Sequence, residues 1–346
     1  MDAVIPRRTL RSAVTLTVGT LLLVGASACG SDSGSGKGGK LTSVSYRGPF
    51  VTSGGDAPIY YADKLGYFAD EGLKVTIRDS KGSGQTITDV NSGGSDYGMA
   101  AAVNLVLAVG QGQPITSVAT PLGLSSFGFF VPKDSGITSI KQLAGKKVLV
   151  TASAQPNVFA AIAAEGLDKS AVHLVVSDPT TLGAAYTGSK GVDAVYTTQF
   201  LAATLTKRPS TFLPQSQAGY NPPDYALLVK KNLLSSSPDQ VHGFVRAVLR
   251  GYQAAAKNPQ AAIDALLAKH PELNPAQAMG TLKATLPFYC SPGQLDQPFG
   301  MNANRDWVIT ANAMKTYAGL PGATNGSRFY SNDLFSGKDP LSVATC

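Results

Sequence analysis

Short apolar strands alternate with helices along most of this chain, separated by polar turns of a few residues, and no other feature limits the fold so strongly. Residues 41–50 read as a first strand and 51–56 as a loop. Residues 57–65 read as a helix with Asp56 available as its cap and Pro58 in its first turn. Gly66 stops that helix, 73–79 is a second strand, and Gly82-Ser83-Gly84 leads into a helix over 85–91. Residues 96–101 form a short buried strand, 103–111 a helix and 115–120 a further strand. The pattern then resumes with strands at 127–132, 147–150, 172–176 and 194–196, a helical turn at 140–143, and helices at 157–165 and 197–206. One more strand, 225–229, precedes helices at 240–257, 259–269, 276–286 and 305–317. Strands alternating with helical segments in this way predict an α/β fold.

The first 40 residues do not take part in that alternation. Arg7, Arg8 and Arg11 lead into an apolar run, and Ala26-Ser27-Ala28 is a small-residue cleavage site, the pattern of an export signal over 1–28. The run is shorter than the roughly 20 apolar residues of a spanning helix. Ala-Ser-Ala-Cys is similar to a bacterial lipobox, with Ala26 where Leu is commoner, so Cys29 is expected to be acylated and to become the first residue. The alternative is an ordinary signal with a free cysteine. The Arg7-Arg8 pair matches a twin-arginine export signal only in part. Residues 29–40 have the composition of a flexible tether. Gly34-x-Gly36-x-x-Gly39 in that stretch lacks the strand before it and the helix after it that a nucleotide loop requires.

Over the whole chain, 43% apolar and 15% charged residues favour a substantial core over disorder. The net charge is +7, yet Lys and Arg are scattered without basic–aromatic interleaving, so no nucleic-acid partner is expected. With Cys29 spent on lipid, Cys290 and Cys346 remain, and an exported chain sits where disulfides persist. A Cys290–Cys346 bridge is expected to pin the C-terminal tail.

A family resemblance emerges from motifs in order. Ala57-Pro58-Ile59-Tyr60-Tyr61-Ala62, Leu65-Gly66-Tyr67-Phe68 and Glu71-Gly72-Leu73-x-Val75 open it. Gly94-x-Asp96-x-Gly98, Gly112-x-Pro114-Ile115, Ile140-x-x-Leu143-x-Gly145-Lys146 and Val192-Asp193-Ala194 continue it. Pro238-x-x-Val241-x-x-Phe244-Val245, Asn258-Pro259, Trp307 and Phe329–Phe335 complete it. The chain resembles the exported solute-binding proteins for nitrate, sulfonates, taurine and thiamine pyrimidine precursors that serve ABC importers. The resemblance implies a type II periplasmic-binding architecture, with a ligand cleft between two α/β lobes. Lobe 1 would be 41–124 with 220–346, and lobe 2 would be 125–219. It also implies a small-molecule solute, permease and ATPase partners, a membrane contact through the lipid anchor, a monomer and no cofactor. Most of these motifs also have a plain packing reading: Gly66-Tyr67-Phe68 as a helix stop over buried rings, Gly98 as a close-contact glycine.

Open α/β sheets bind ligands at the carboxyl ends of their strands. In lobe 1 that rule selects Phe50, Thr52, Ser53, Asp56 and Ala57, then Ser83 and Gly84, then Ala101, Ala102 and Asn104. In lobe 2 it selects Thr151, Ser153, Gln155 and Asn157, with Tyr196, Thr197 and Thr198. The second crossover adds Tyr220, Asn221, Asp224 and Tyr225. The set is rich in hydroxyls, amides and aromatic rings and poor in charge, which suits a small flat heterocycle. A pyrimidine precursor is favoured over nitrate, taurine or another sulfonate, for which only Arg47 is near. A surface sensor without transport is equally compatible with the sequence. His173, His242 and His270 show neither metal-ligand spacing nor a triad arrangement. The cysteine-rich iron motif of eukaryotic pyrimidine synthases is missing, so the chain is expected not to be an enzyme.

Overall fold

The computed structural model describes residues 40–205, 207–336 and 344–346; the signal expected over 1–28, Cys29 and all of the 29–40 tether except Lys40 lie outside them. Two five-stranded sheets carry the fold. The first holds β1 (Thr42–Arg47), β2 (Leu73–Arg78), β3 (Tyr97–Ala101) and β4 (Ile115–Leu122), and later β10 (Tyr225–Lys230). The second holds β5 (Phe127–Pro132), β6 (Lys147–Val150), β7 (His173–Val176), β8 (Ala194–Thr198) and β9 (Ser210–Pro214).

The first sheet runs β2-β1-β3-β10-β4, and β10 lies antiparallel to both its neighbours, with Leu227 opposite Met99. The second runs β7-β6-β8-β5-β9, and β5 lies antiparallel to β8 and β9. In each sheet a strand reached directly from a crossover is therefore antiparallel to strands laid down elsewhere. The chain passes between the sheets twice, at 123–126 and 215–224, and hydrogen bonds join these passages. Ser126 N–H donates to Asp224 Oδ2 (3.2 Å) and Ser125 N–H to Asn221 Oδ1 (3.3 Å).

The central strands are buried on both faces, as helix-covered sheets require. Helix Pro238–Lys257 buries Val241, Phe244, Val245 and Val248, and Phe244 stacks on Tyr97 of β3 at 3.7 Å between ring centres. On the opposite side, helix Ser83–Ser92 lies so close to β3 that a Cβ at Gly98 would stand 2.7 Å from Thr86 Cγ2. Gly66, at φ +76°, follows helix Ala57–Lys64 as its stop. Helix Asn304–Ala318 buries Trp307, Ala311 and Met314 and packs against both Ala102–Gly110 and Gln155–Ala164, one helix from each side of the cleft.

Several elements differ from the sequence reading. Residues 197–206 are not an α-helix: β8 runs to Thr198, and only a 3-10 segment, Gln199–Thr204, follows. Strand β9 went unread because Ser-Thr-Phe-Leu-Pro carries no alternation and a proline; it is an edge strand, where proline is tolerated. Helix Leu182–Gly188 was missed because its glycines and threonine are weak helix formers. Helix Lys231–Ser236 was missed as well. Cys290 and Cys346 are joined in a disulfide, with Cα atoms 5.7 Å apart. Among the described residues, no helix is long and apolar enough to cross a membrane.

Candidate functional site

The loop after β1 is shaped by its own side chains. Ser53 N–H donates to Asp56 Oδ2 (2.9 Å) and Gly55 N–H to Ser53 Oγ (3.3 Å), a capping box that fixes the Asp56 carboxylate ahead of helix Ala57–Lys64. Gly54 lies against the backbone of helix Pro275–Thr285, and a Cβ there would stand 1.9 Å from the Ala278 carbonyl oxygen. The tight loop is thereby pressed inward.

The next two loops are held in the same local manner. Thr86 Oγ1 donates to Gly48 O (2.7 Å), tying the β2 loop to the β1 loop, and Ala101 N–H donates to Ser83 Oγ (3.0 Å). From the third, Asn104 Nδ2 donates to Ser153 O (2.8 Å), which belongs to the turn after β6. Asn157 follows in the first turn of helix Gln155–Ala164, 2% exposed, with no partner for its Oδ1.

These loops enclose a cavity of about 110 Å³ between the two sheets. Thirteen of the twenty-one ligand candidates from the sequence line it. Phe50, Ser53, Asp56, Ser83 and Asn104 come from the first sheet's loops and Thr151, Ser153 and Asn157 from the second's. Tyr196 and Thr197 at the end of β8, with Tyr225 at the start of β10, complete the set. Ala101 and Thr198 line it too.

Eight candidates do not, among them Tyr220, Asn221 and Asp224 of the second passage between the sheets. Thr52 bonds its hydroxyl to Tyr60 instead. Ala57 is fully buried with Ala255, Ala262 and Leu282 beneath helix Ala57–Lys64. Ala102 commits its N–H to the Asp224 carbonyl (3.0 Å). Gly84 borders a shallower groove beside the cavity, with Lys81 and Asp178. Gln155 sits two residues before Asn157, which at 100° per residue turns it to the far side of the helix.

Sequence reasoning also missed lining residues. Met99, Leu122 and Phe127 lie within or at the ends of strands; Tyr252 and Thr285 come from the C-terminal helices, and Phe200 from the 3-10 segment after β8. A rule that inspects loops after parallel strands cannot reach a helix packed from below. The buried face of helix Pro238–Lys257, on which Tyr252 falls, was the one available signal.

Six aromatic side chains stand in the walls: Phe50, Phe127, Tyr196, Phe200, Tyr225 and Tyr252. Phe127 stacks on Tyr196 at 5.7 Å and lies 5.9 Å from Tyr225. Tyr196, fully buried, donates its hydroxyl to Gln215 Oε1, and Tyr252 directs its hydroxyl to Met99 Sδ (3.5 Å). Burial pushes the Tyr225 and Tyr252 phenols well above their ordinary range, so both stay neutral.

Among the described residues that line the cavity, Asp56 is the one carboxylic acid. It is half-buried, with the cavity on its open side, and burial raises its carboxyl to about 6 against the hydrogen bonds from Ser53. Among the described residues, no Lys, Arg or His lines the cavity. Behind it, His270 bridges Tyr60 Oη (2.7 Å) and Glu272 Oε1 (3.0 Å), a cluster the sequence did not suggest.

The family described as NMT1/THI5 like matches residues 55–262 of this chain. A protein of Legionella pneumophila named 4-amino-5-hydroxymethyl-2-methylpyrimidine phosphate synthase is 25% identical over 276 residues, covering 76% of this chain and 81% of the relative. The alkanesulfonate-binding protein SsuA of Xanthomonas axonopodis pv. citri superposes with a TM-score of 0.65 at 16% identity, over 85% of this chain and 99% of that one. The nitrate-binding protein NrtA of Synechocystis gives 0.56 at 15% identity, over 69% of each chain. The fold is thus the two-lobed periplasmic-binding fold expected from the sequence. The Legionella relative carries an enzyme's name, and it overturns the expectation that this chain is not an enzyme.

Proposed function

The chain belongs to the NMT1/THI5-like family, and from that premise we propose that it is a solute-binding protein that closes two lobes over a small pyrimidine of the thiamine-precursor type. Lobe 1 is 41–124 with 220–346 and lobe 2 is 125–219. The protein works outside the cytoplasm as a monomer, held to the outer face of the membrane by an acylated Cys29. Its solute passes to an ABC permease and ATPase. Support comes from the fold shared with binding proteins for alkanesulfonate and nitrate, and from a cavity lined from both sheets.

Asp56 is the observation that carries the choice of solute. A carboxylate among aromatic walls, with no cation lining the cavity among the described residues, attracts hydrogen-bond donors and repels anions. An aminopyrimidine supplies an exocyclic N–H for Asp56 and a flat ring for Phe127, Tyr196 and Tyr225. A sulfonate or nitrate would meet the carboxylate unscreened.

Calorimetric titration of the purified protein with 4-amino-5-hydroxymethyl-2-methylpyrimidine, taurine and nitrate tests the reading. Pyrimidine binding is expected, with Asp56→Asn weakening it about 10- to 100-fold, the range for a hydrogen bond to a charged group. Binding of taurine or nitrate in place of the pyrimidine refutes it.

The name of the Legionella relative favours a second reading, in which this chain makes or processes a pyrimidine. Mass spectrometry of the same mixtures distinguishes the two: capture leaves the pyrimidine intact, whereas an enzyme yields product beyond one equivalent per chain.

A further inference from the structure

Two hydroxyls beside the Phe127 ring have no hydrogen-bond partner among the described residues, those of Thr198 and Tyr225. Thr198 occupies the N-cap of the 3-10 segment Gln199–Thr204, where a threonine side chain ordinarily accepts a backbone N–H, yet its side chain accepts none. It lies directly across the strands from Phe127 and, two residues from Tyr196, shares that ring's face of the sheet. Tyr225 approaches from the first sheet, its ring 5.9 Å from Phe127. Both residues line the cavity, Thr198 7% exposed and Tyr225 half-buried. The unpartnered hydroxyls shielded from solvent belong to Tyr46, Ser95, Ser126, Tyr220 and Tyr289; those of Thr198 and Tyr225 are not among them and keep open surface.

Water in an empty cavity can satisfy both hydroxyls. A solute that displaces the water must bring an acceptor for each proton, or leave it buried without one. Burial, then the neighbouring Asp224 and Asp56, keep the proton on the Tyr225 phenol, so it meets the solute as a donor. We propose that Thr198 and Tyr225 are specificity-determining residues, each hydroxyl donating to an in-plane lone pair of the solute. The proposal rests on the solute-binding reading above and narrows its substrate class. The solute is a flat, neutral heterocycle with an N–H donor for Asp56 and two acceptors beside Phe127. An amine-bearing 1,3-diazine has that pattern in its two ring nitrogens, whereas a carbocyclic ring of the same size has no lone pair to offer.

The test uses three probes: 4-amino-5-hydroxymethyl-2-methylpyrimidine and the two pyridine analogues in which one ring nitrogen or the other is replaced by C–H. Wild type is expected to bind each analogue about 5- to 100-fold more weakly than the parent, the range for a buried donor left unpaired. Thr198→Val and Tyr225→Phe keep the shape and remove one hydroxyl each. One should erase the penalty for one analogue, and the other the penalty for the second. Equal binding of all three probes by wild type, or a variant that keeps both penalties, overturns the proposal. Thr198→Ser retains the hydroxyl and should retain both penalties; loss of a penalty there would trace it to packing and overturn the proposal likewise.

Should wild type bind none of the three, the pyrimidine reading fails, and a simpler pair of probes still decides the role of the hydroxyls. Pyridine and benzene differ by one lone pair, and ligand-detected magnetic resonance at neutral pH compares their binding. Wild type should favour pyridine, and the double variant Thr198→Val, Tyr225→Phe should show no preference. A preference kept by the double variant, or missing from wild type, overturns the proposal. Neither substitution removes a hydrogen bond made within the protein, so all variants are compared at matched melting temperature.

Discussion

Asn104 and Ser153 meet across the cleft: the Asn104 amide, carried by the first sheet's helix, donates to the Ser153 backbone carbonyl in the second sheet's turn at 2.8 Å. Both residues also line the cavity, so the bond that holds the walls together lies beside the space a solute would occupy. Asn104→Ala should weaken the closed form by about 0.5–1.5 kcal/mol, an ordinary hydrogen bond's net worth. That corresponds to roughly 2- to 12-fold faster solute release with little change in association. Stopped-flow fluorescence checks it; an unchanged release rate removes Asn104 from the closure mechanism.

Asp56 gives binding a pH dependence. Burial lifts its carboxyl to about 6, so the group is mostly ionised at pH 7 and mostly neutral at pH 5. With an amine-bearing solute that does not itself titrate in this window, affinity should fall as pH drops through 6. Asp56→Asn should bind weakly and evenly across the same range. Titrations at pH 5, 6 and 7 on both proteins supply the comparison.

Asp224 does the same for stability. It is 1% exposed at the second passage between the sheets, and burial raises its carboxyl to about 8 despite the hydrogen bond from Ser126. Because the folded acid holds its proton to higher pH than the unfolded one, its contribution is most favourable below about pH 4. That contribution is lost progressively as pH rises to about 8. Asp224→Asn should remove this slope and stabilise the protein at pH 8 relative to wild type, with about 5 kcal/mol as an upper bound. Urea unfolding at pH 5 and pH 8 measures it; equal slopes in both proteins contradict the assignment.

The Cys290–Cys346 bridge closes a loop over a sequence separation of 56 residues. Chain entropy gives such a closure about 4 kcal/mol. The bridge also backs the cavity, since Tyr289 packs 5.2 Å from Tyr252 and Phe288 packs 5.5 Å from Phe200. Cys346→Ser should lower unfolding free energy by up to that amount and weaken solute binding modestly. Denaturant titration and calorimetry report the two effects separately.

Much of this architecture was legible because strands buried on both faces are unmistakably apolar, as in Tyr97–Ala101 and Tyr225–Lys230. The loops after β1, β3, β6 and β8 were found for the same reason: once strands are placed, their carboxyl ends follow. Strand β9 was lost because an edge position relaxes the pattern that marks a strand. Tyr252 and Thr285 were lost because a cavity floor is made by tertiary packing, and nothing local distinguishes a helix face turned toward a cavity from one turned toward a core. Thr52 and Gln155 show the converse, polar loop residues whose hydrogen bonding or helical phase points them elsewhere.

Strand β10 lies between β3 and β4 in the middle of the first sheet, yet it is made last, after every strand of the second. During synthesis β3 and β4 therefore wait with open edges while more than a hundred further residues are laid down, and open edges invite pairing with other chains. The second sheet, continuous in sequence, is complete before the first. A nascent chain of this design depends on something to guard those edges until Lys230 has emerged. Fragments that stop short of Tyr225 should aggregate, however sound their own strands.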